Sequence, residues 1–282
     1  MPASIPNVSN ELVLAWARRA DECGFSSLGL IDRLVYPNYE PLITLAAASS
    51  VTKRARLMTT ILIAPLRRPG VLAKQASTLD RISGGRLTLG LAIGARRDDF
   101  RAAPVSFKTR ARRFEDQLRI MKRVWSGQSI AENLGPIGPQ PARAGGPEIL
   151  IGGYSPSAIA RVSRWADGYI SGSGSDPSRA ASTFKLVEDS WKAAGRKGKP
   201  RLVCATYFAL GPEAVDRGGV FLHDYYRFLG QAAENLVSRM LSTPDLVKDA
   251  IDSFSEIGAD ELMLWPCIPE LEQVDLLAQL VP

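Results

Sequence analysis

Apolar residues follow two patterns along the chain, continuous runs typical of buried strands and a spacing typical of helices. The clearest example of both lies in the first third of the sequence. Residues 57–64 are apolar or threonine without alternation, which is typical of a strand buried on both faces of a parallel sheet. Residues 71–82 place apolar side chains at helical spacing, and Gly84 and Gly85 end this helix before residues 86–91 begin another strand. The segment therefore predicts a strand–helix–strand unit with a right-handed crossover.

The same rhythm continues through most of the sequence. We predict strands at residues 26–31, 57–64, 86–91, 148–151, 168–171, 201–210 and 261–265. We predict helices at residues 12–23, 41–51, 71–82, 110–125, 155–166, 177–194, 244–257 and 271–280, with further helical segments within 212–241. This alternation favours an α/β fold closed as a (β/α)8 TIM barrel over an open doubly wound sheet.

Three regions depart from this rhythm. An eighth strand has to come from the first nine residues, where Ala3-Ser4-Ile5 gives a short and atypical first strand; otherwise the chain starts later than is usual for such a fold. Residues 95–108 form a polar loop that is too long for a plain connection and is therefore functional or mobile. Residues 127–147 are rich in Gly, Pro and Ala and predict an irregular insertion after the fourth helix. The insertion is too short for a domain linker, so we expect a single domain over residues 1–282.

Composition excludes several classes of protein. No apolar run reaches membrane-spanning length, and the N-terminus lacks the pattern of a secretory signal. Cys23, Cys204 and Cys267 are far apart and form no Cys-x-x-Cys pair, which favours a reduced, cytoplasmic setting. The single histidine, His223, argues against a zinc or iron site.

The chain is basic, with a formal net charge of +6 and a pI near 9.3. Solvated helix faces account for most of the excess arginine, but Arg96, Arg97, Arg110, Arg112 and Arg113 are clustered and are candidates for contact with an anionic ligand. No basic run is interleaved with aromatic residues, and no groove-reading motif is found. We therefore expect a small-molecule substrate and no nucleic-acid or membrane partner.

In a barrel of this type, functional residues lie at the carboxyl ends of the strands. Gly152 and Gly153 follow one strand and allow a backbone to approach a ligand closely, together with Tyr154. Ser155 and Ser157 lie where the next helix begins, where free amides and the helix dipole favour phosphate. The alternative is a tight turn with an ordinary serine cap.

Asp32 and Arg33 follow an earlier strand. They form either an ion pair that braces the barrel rim or contacts to a substrate or cofactor. Arg33 is not an acid or base near neutral pH. Tyr36, Tyr39 and Glu40 follow in a loop and are candidates for proton transfer, and packing is the alternative role for the two tyrosines. Because acid–base groups are scarce, we expect a bound cofactor to supply the chemistry.

Several motifs together carry a resemblance to a known family. They are Ala64-Pro65, Arg68-Pro69, Leu72-Ala73-Lys74-Gln75, Thr78-Leu79-Asp80, Ser83-Gly84-Gly85-Arg86-Leu87, Arg113-Phe114-Glu115, Arg123-Val124-Trp125-Ser126-Gly127, Ile151-Gly152-Gly153 and Gly258-Ala259-Asp260-Glu261-Leu262. With these the chain resembles the luciferase-like flavin-dependent oxidoreductases. The resemblance implies a (β/α)8 barrel, often dimeric, that binds reduced FMN or the deazaflavin coenzyme F420 and no metal.

The resemblance also assigns site residues. It places the cofactor phosphate at Gly153, Tyr154 and Ser157, and the ring over the strand that holds Thr60 and Ile61, where several members have a non-proline cis peptide. It places Gly94, Ala95 and Arg96 beside the cofactor. One residue departs from the pattern, because many members have a histidine tied to proton transfer where this chain has Arg33.

Three functions stay open at this point. The first is a monooxygenase that uses reduced FMN from a separate reductase, with Ile61, Ile63 and Trp265 supplying a dry pocket. The second is a deazaflavin-dependent reductase or dehydrogenase, for which the basic charge would suit the acidic tail of the coenzyme and Asp32 would contact its ring. The third is a flavin or ligand carrier without catalytic activity.

Overall fold

A computed structural model describes residues 1–172, 174 and 176–281 and contains a ring of seven parallel strands surrounded by helices. The strands follow one another around the ring in chain order. They are β1 (Ser27–Leu30), β2 (Arg56–Ile63), β3 (Leu87–Ala92), β4 (Glu148–Ile151), β5 (Gly168–Ile170), β6 (Arg201–Phe208) and β7 (Glu261–Pro266). The predicted α/β barrel class is confirmed, with seven strands in a nearly closed ring.

The helices pack around this ring and bury its outer face. They are α1 (Asn10–Glu22), α2 (Pro41–Val51), α3 (Pro69–Ile82), α4 (Arg97–Ala102), α5 (Arg110–Trp125), α6 (Pro156–Trp165), α7 (Pro177–Ala193), α8 (Ala214–Tyr226), α9 (Glu234–Val237), α10 (Pro244–Glu256) and α11 (Glu272–Ala278). Three 3-10 helices span Pro2–Ser4, Ala64–Leu66 and Arg227–Ala233.

Two predicted elements were wrong. The first residues do not form a strand: Pro2–Ser4 is a short 3-10 helix, since Pro2 offers no amide to a ladder and the Ile5 amide bonds back to its carbonyl. The loop at 95–108 contains helix α4, whose amphipathic pattern is too short to detect. The described part of 127–147 contains no helix or strand, as predicted.

The strands β1 and β7 are the two edges of the ring, and no ladder joins them in the part of the chain that the structure describes. We call the space between β1 and β7 the seam. The Ser26 hydroxyl donates to Glu261 at 2.6 Å across the seam, and the Met1 amino group donates to the Gly29 carbonyl of β1 at 3.2 Å. A cavity of about 370 Å³ lies along the seam. The seam occupies the position of the missing eighth strand.

Charged side chains close the amino-terminal end of the barrel. Arg56 pairs with Glu148 at 3.0 Å, and Arg201 contacts both Glu148 and Glu261 at 2.5 Å. These side chains are half-buried at the first residues of β2, β4, β6 and β7, so they cross-link the strand starts. The opposite, carboxyl end therefore carries the accessible polar groups.

Motif residues of the resemblance hold the loops at that carboxyl end. Arg113 donates to the Pro65 carbonyl at 2.7 Å, and buried Gln117 donates to the Ala64 carbonyl at 2.9 Å. These bonds from α5 satisfy carbonyls that follow β2. The end of β2 is thereby fixed in place by side chains.

No helix in the described part of the chain is both long and apolar enough to cross a membrane.

Candidate functional site

Helix α6 begins shortly after β4, and its first turn faces solvent. The Ser155 hydroxyl accepts a hydrogen bond from the Ala158 amide at 3.2 Å and lies 3.0 Å from the Ser157 hydroxyl. Both serines are exposed. A helix N-terminus attracts anions, so these hydroxyls suit a phosphoryl group. Ser155 is thus also an ordinary helix cap, and the two interpretations of the sequence are compatible.

Two glycines bring this turn against the end of β2. A Cβ atom on Gly152 would lie 2.4 Å from Ile61 Cδ1 and 3.0 Å from the Ile170 carbonyl oxygen. Gly153 has a φ of +132°, which residues with a side chain rarely adopt. Backbone alone therefore separates the α6 turn from Ile61, so the two form one continuous surface.

Tyr154 is held beside the same turn. Its hydroxyl accepts a hydrogen bond from the Gly172 amide at 3.0 Å, and the Arg179 guanidinium lies 4.2 Å from its ring centroid. Arg179 belongs to the first turn of α7, where Asp176 caps its amide at 2.8 Å. The predicted partner cap, Ser175, lies outside the described residues. Arg179 was missed from the sequence because an arginine at a helix start is usually solvated.

The end of β2 forms the floor of the site. The β2–β3 register shifts between Thr59 and Leu62, so Thr60 and Ile61 lie outside the regular ladder. The Thr60–Ile61 peptide is cis, as the resemblance implied. The Thr60 hydroxyl accepts a bond from Trp265 Nε1 at 3.1 Å, and Ile61 is half-buried. Bulges of this type are common next to active sites.

The end of β3 packs directly beside this floor. A Cβ atom on Gly94 would lie 2.5 Å from Ile63 Cγ2 and 3.1 Å from Phe100, and Gly94 has a φ of +76°. Arg110 Nε donates to the Gly94 carbonyl at 3.1 Å. Ala95 follows and is exposed. Gly94 therefore lies against the end of β2 and is followed by Ala95, and the contact of both with a cofactor stays a prediction.

Asp32 and Arg33 do not pair with each other, so the predicted ion pair between them was wrong. Asp32 instead accepts from Arg67 Nη1 at 2.6 Å and from the Ile63 amide at 2.8 Å. Neighbouring side chains in an extended segment point to opposite sides, which separates the two. Asp32 therefore braces the end of β2, with Glu40 as a second partner of Arg67 at 2.8 Å.

Arg33 is buried among aromatic rings. Its guanidinium lies 4.3 Å from the ring centroid of Tyr36, 4.8 Å from Tyr225 and 5.7 Å from Phe228. Nη1 donates to the Tyr225 carbonyl at 2.6 Å. Burial, followed by the charge of Arg96, lowers the pKa of Arg33. The residue stays a cation at neutral pH, since an arginine pKa starts above about 12.

Arg96 and Arg33 both contact the aromatic ring of Phe228. The Arg96 guanidinium lies 4.2 Å from the Phe228 ring centroid, and its Nε lies 3.5 Å from Asp99. Arg96 also pairs with Asp98. Asp99 is fully buried and accepts bonds from two loop amides after β1, and burial raises its pKa. The loops after β1 and β3 are thereby joined.

The Tyr36 hydroxyl donates to Asp224 at 2.6 Å. Burial, and then this carboxylate, raise the pKa of Tyr36 well above its usual range. The phenol therefore keeps its proton at neutral pH. Its role in proton transfer, and that of Arg33 in catalysis, stay predictions.

Residues 214–237, which we call the covering segment, extend across these side chains. The Tyr226 and Tyr207 hydroxyls lie 2.8 Å apart and connect the segment to β6. Tyr225 is buried, whereas Phe228 is 47% exposed. The signal for this role was the run Tyr225-Tyr226-Arg227-Phe228, since successive aromatics cannot all face one side of a helix.

The described residues contain no cluster of three or more His, Cys, Asp or Glu side chains that could hold a metal. His223 is nearly half-exposed and lies 3.7 Å from Glu234.

A strand-end floor, a glycine turn and a helix N-terminus lie together at the carboxyl end of an α/β barrel, where phosphate binding stays a prediction. A family model described as luciferase-like monooxygenase matches residues 9–240, and the chain belongs to this family. The crystal structure of monooxygenase RslO1 from Streptomyces bottropensis is similar with a TM-score of 0.81 and 24% identity, covering 96% of this chain and 92% of that one. This likeness supports the fold.

Two curated relatives are named for different cofactors. The F420-dependent glucose-6-phosphate dehydrogenase of Nakamurella multipartita is 28% identical over 63% of this chain and 57% of that protein. The FMNH2-dependent dimethylsulfone monooxygenase of Pseudomonas putida is 28% identical over 59% of this chain and 54% of that protein. The chain also matches only 60% of the length of uncharacterized mycobacterial relatives. The family therefore includes oxidoreductases named for either cofactor.

Proposed function

We propose that this chain is a monooxygenase that uses reduced FMN, supplied by a separate reductase, to oxidise a small organic substrate. One observation carries the proposal: the Gly152 backbone lies against Ile61, so that a phosphate turn and an apolar floor form one surface. A cofactor with a phosphoryl end and a flat ring fits such a surface. The relative named for FMNH2 supports this choice.

The residues of the α6 turn would hold the phosphoryl group. The Ser155 and Ser157 hydroxyls lie at the helix N-terminus, and Arg179 adds a positive charge next to Tyr154. Helix dipole, hydroxyls and guanidinium all favour a dianion. Gly152 and Gly153 leave room for backbone contact because no side chain intervenes.

The strand ends would hold the ring. Thr60 and Ile61 would lie beneath it, with Gly94, Ala95 and Arg96 at one edge. Reduced FMN, when bound, supplies the electrons that activate dioxygen for transfer of one oxygen atom to the substrate. Ile61, Ile63 and Trp265 line the floor with apolar surface and so exclude water from the reaction.

The protein's own proton-bearing group at this site would be the Tyr36 hydroxyl, held by Asp224 at 2.6 Å. Arg33 keeps its charge and does not move protons. We propose that Arg33 stabilises negative charge, whereas Tyr36 holds the proton that leaves or enters.

A second candidate is a deazaflavin-dependent reductase or dehydrogenase that transfers hydride. The exposure of Tyr154, Ser155 and Ser157 favours it, since the phosphate end opens to solvent and leaves room for an acidic tail. Asp32 is less available to contact the ring than predicted, because both of its oxygens bind Arg67.

The remaining features of the proposal are a metal-free, cytoplasmic protein that forms a single domain and a homodimer. Cys204 and Cys267 are buried thiols and Cys23 is half-buried, all unpaired. This supports a reducing compartment. The dimer rests on the family resemblance.

The test is a titration of the full chain with FMN and coenzyme F420, each oxidised and reduced, followed by oxygen uptake with reduced FMN. Gly152→Ala places a methyl group 2.4 Å from Ile61 Cδ1. We expect it to weaken cofactor binding at least tenfold.

Gly135→Ala is the matched control, because a Cβ there meets nothing within 4 Å. We expect it to bind as the parent does. Tighter binding of coenzyme F420 than of FMN would favour the second candidate, and binding of neither would reject both.

A further inference from the structure

The most unusual charge in the described structure is Arg33. Its side chain is buried, with only 5% of the residue exposed, and no carboxylate of the described residues lies within ion-pair distance. Its Nε is buried and has no hydrogen-bond partner among the described residues. A buried cation is normally paired, because removal from water is costly. Arg33 thus has no carboxylate in direct contact, and the charge of Asp99 acts on it only from a greater distance.

The aromatic rings do not replace a direct ion pair. Cation–π contacts are weaker than a buried ion pair, and the bond to the Tyr225 carbonyl satisfies only one of five donors. The rings hold the guanidinium flat instead. A flat, fixed guanidinium with a free Nε edge fits a bidentate carboxylate.

Arg96 presents further donors in the same place. Its Nη1 and Nε are buried and lack hydrogen-bond partners in the described chain, although Asp99 lies 3.5 Å from Nε. Both guanidiniums contact the Phe228 ring, so they lie under one side chain of the covering segment. The like charges of Arg33 and Arg96 repel each other. Among the described residues, the nearby carboxylates of Asp98 and Asp99 form ion pairs with Arg96 alone.

Arg33 follows β1 and Arg96 follows β3, so the pair flanks the end of β2 from both sides. The phosphate turn lies after β4 and is separate from the pair. Both arginines contact the covering segment, which lies on the outer side of the proposed ring position. An anion held there would belong to a molecule between the floor and the covering segment.

We propose that Arg33 and Arg96 bind the carboxylate of the substrate, so that this enzyme acts on an organic acid. The inference rests on the proposed function for the identity of the reaction. The anion site itself is independent of it, because the unpaired donors belong to the protein alone. The covering segment supplies aromatic walls from Tyr225 and Phe228, which suit a flat acid.

The probe is benzoate, compared with uncharged benzamide, which has the same shape. Binding to the full chain is measured by calorimetry, with and without saturating FMN. We expect benzoate to bind with an affinity that falls as salt rises, and benzamide to bind at least tenfold more weakly. Equal binding of the two probes would overturn the proposal.

Variants separate the substrate from the cofactor as the source of the anion. Arg33→Met and Arg96→Met should each weaken benzoate binding at least tenfold. Arg33→Met should leave the Kd for oxidised FMN unchanged, whereas Arg96→Met, at the edge of the proposed ring position, is judged on benzoate binding alone. Arg112→Gln, an exposed arginine on α5, should change neither. Loss of FMN binding with unchanged benzoate binding would assign the arginines to the cofactor and reject the inference.

Arg33→Lys is a control for misfolding of the methionine variant. Lysine keeps the positive charge but cannot bind a carboxylate through two parallel N–H groups. We expect Arg33→Lys to melt near the parent and to bind benzoate with intermediate affinity. If it binds as tightly as the parent, a planar carboxylate contact is ruled out. If no cofactor binds but benzoate still does, the proposed function fails while the anion site stands.

Discussion

At the scale of single residues, Asp32 decides how the carboxyl end of the barrel is built. It is buried and accepts bonds from Arg67 and from the Ile63 amide. Arg67 reaches Glu40 as well. The charge of Asp32 therefore stabilises a buried arginine and holds the end of β2 next to the loop after β1.

Asp32→Asn tests this role. Asparagine keeps the shape but leaves Arg67 with only Glu40 as a counter-charge, so we expect the free energy of unfolding to fall by about 3 kcal/mol. Urea denaturation measures it. Asp116→Asn breaks an exposed pair with Arg119 and should cost less than about 1 kcal/mol. Equal losses in the two variants would contradict the role.

The sequence identified the site glycines for a physical reason that is visible in the residues. Gly152, Gly153 and Gly94 follow apolar runs. The structure has no room for a side chain at any of the three, and Gly153 and Gly94 have a positive φ. The partner of Asp32 was not predictable, because Arg67 is 35 positions away and the pairing depends on how two loops fold together. The same applies to Arg179 beside Tyr154.

At the scale of elements, one device starts four of the helices. A capping side chain accepts a bond from the amide three residues later, and a proline follows the cap directly. The pairs are Glu40-Pro41, Ser155-Pro156, Asp176-Pro177 and Thr243-Pro244. This device makes helix starts readable from the sequence, so these starts were predicted closely.

Thr243→Ala removes the cap of α10, in which the Thr243 hydroxyl accepts from the Leu246 amide at 3.2 Å. We expect the free energy of unfolding to fall by about 1 kcal/mol. Thr78→Ala, in the exposed middle of α3, should be neutral or slightly stabilising, because alanine favours helix. Chemical denaturation of both variants measures the difference, and a neutral Thr243→Ala would refute the cap.

Helix α4 and the covering segment show where element prediction ends. Six residues of α4 give less than two turns, too few to establish a period. The covering segment was predicted as helical, but its position over the site depends on contacts of Tyr226 with Tyr207 and of Phe228 with Arg96. Such contacts between distant elements leave no periodic trace.

At the scale of the whole molecule, several cysteine thiols and tyrosine phenols are buried in their protonated form. Burial raises the pKa of Cys204 to about 11 and raises the pKa values of Cys267, Tyr169, Tyr207 and Tyr225 above their usual ranges. In the unfolded chain the thiols lose protons near pH 9 and the phenols near pH 10. Between these values and the raised ones, the unfolded state binds fewer protons than the folded state.

We therefore expect the free energy of unfolding to fall as pH rises above about 9. Cys204 alone accounts for roughly 3 kcal/mol once the pH exceeds 11. Urea unfolding between pH 7 and 11 measures the slope. Cys204→Ala should flatten it from pH 9 to 11, whereas Cys23→Ala, at a half-buried thiol, should not. Constant stability over this interval would contradict the prediction.

The seam between β1 and β7 has a geometric consequence. In a fully closed barrel, strand number and stagger together fix the tilt and the diameter. In the described residues, a hydrogen bond from Ser26 to Glu261 joins the two edges of this ring, and no ladder does. The stagger between β1 and β7 is therefore not fixed by ladder hydrogen bonds. A change in the radius at the carboxyl end would therefore rupture no ladder between the described strands.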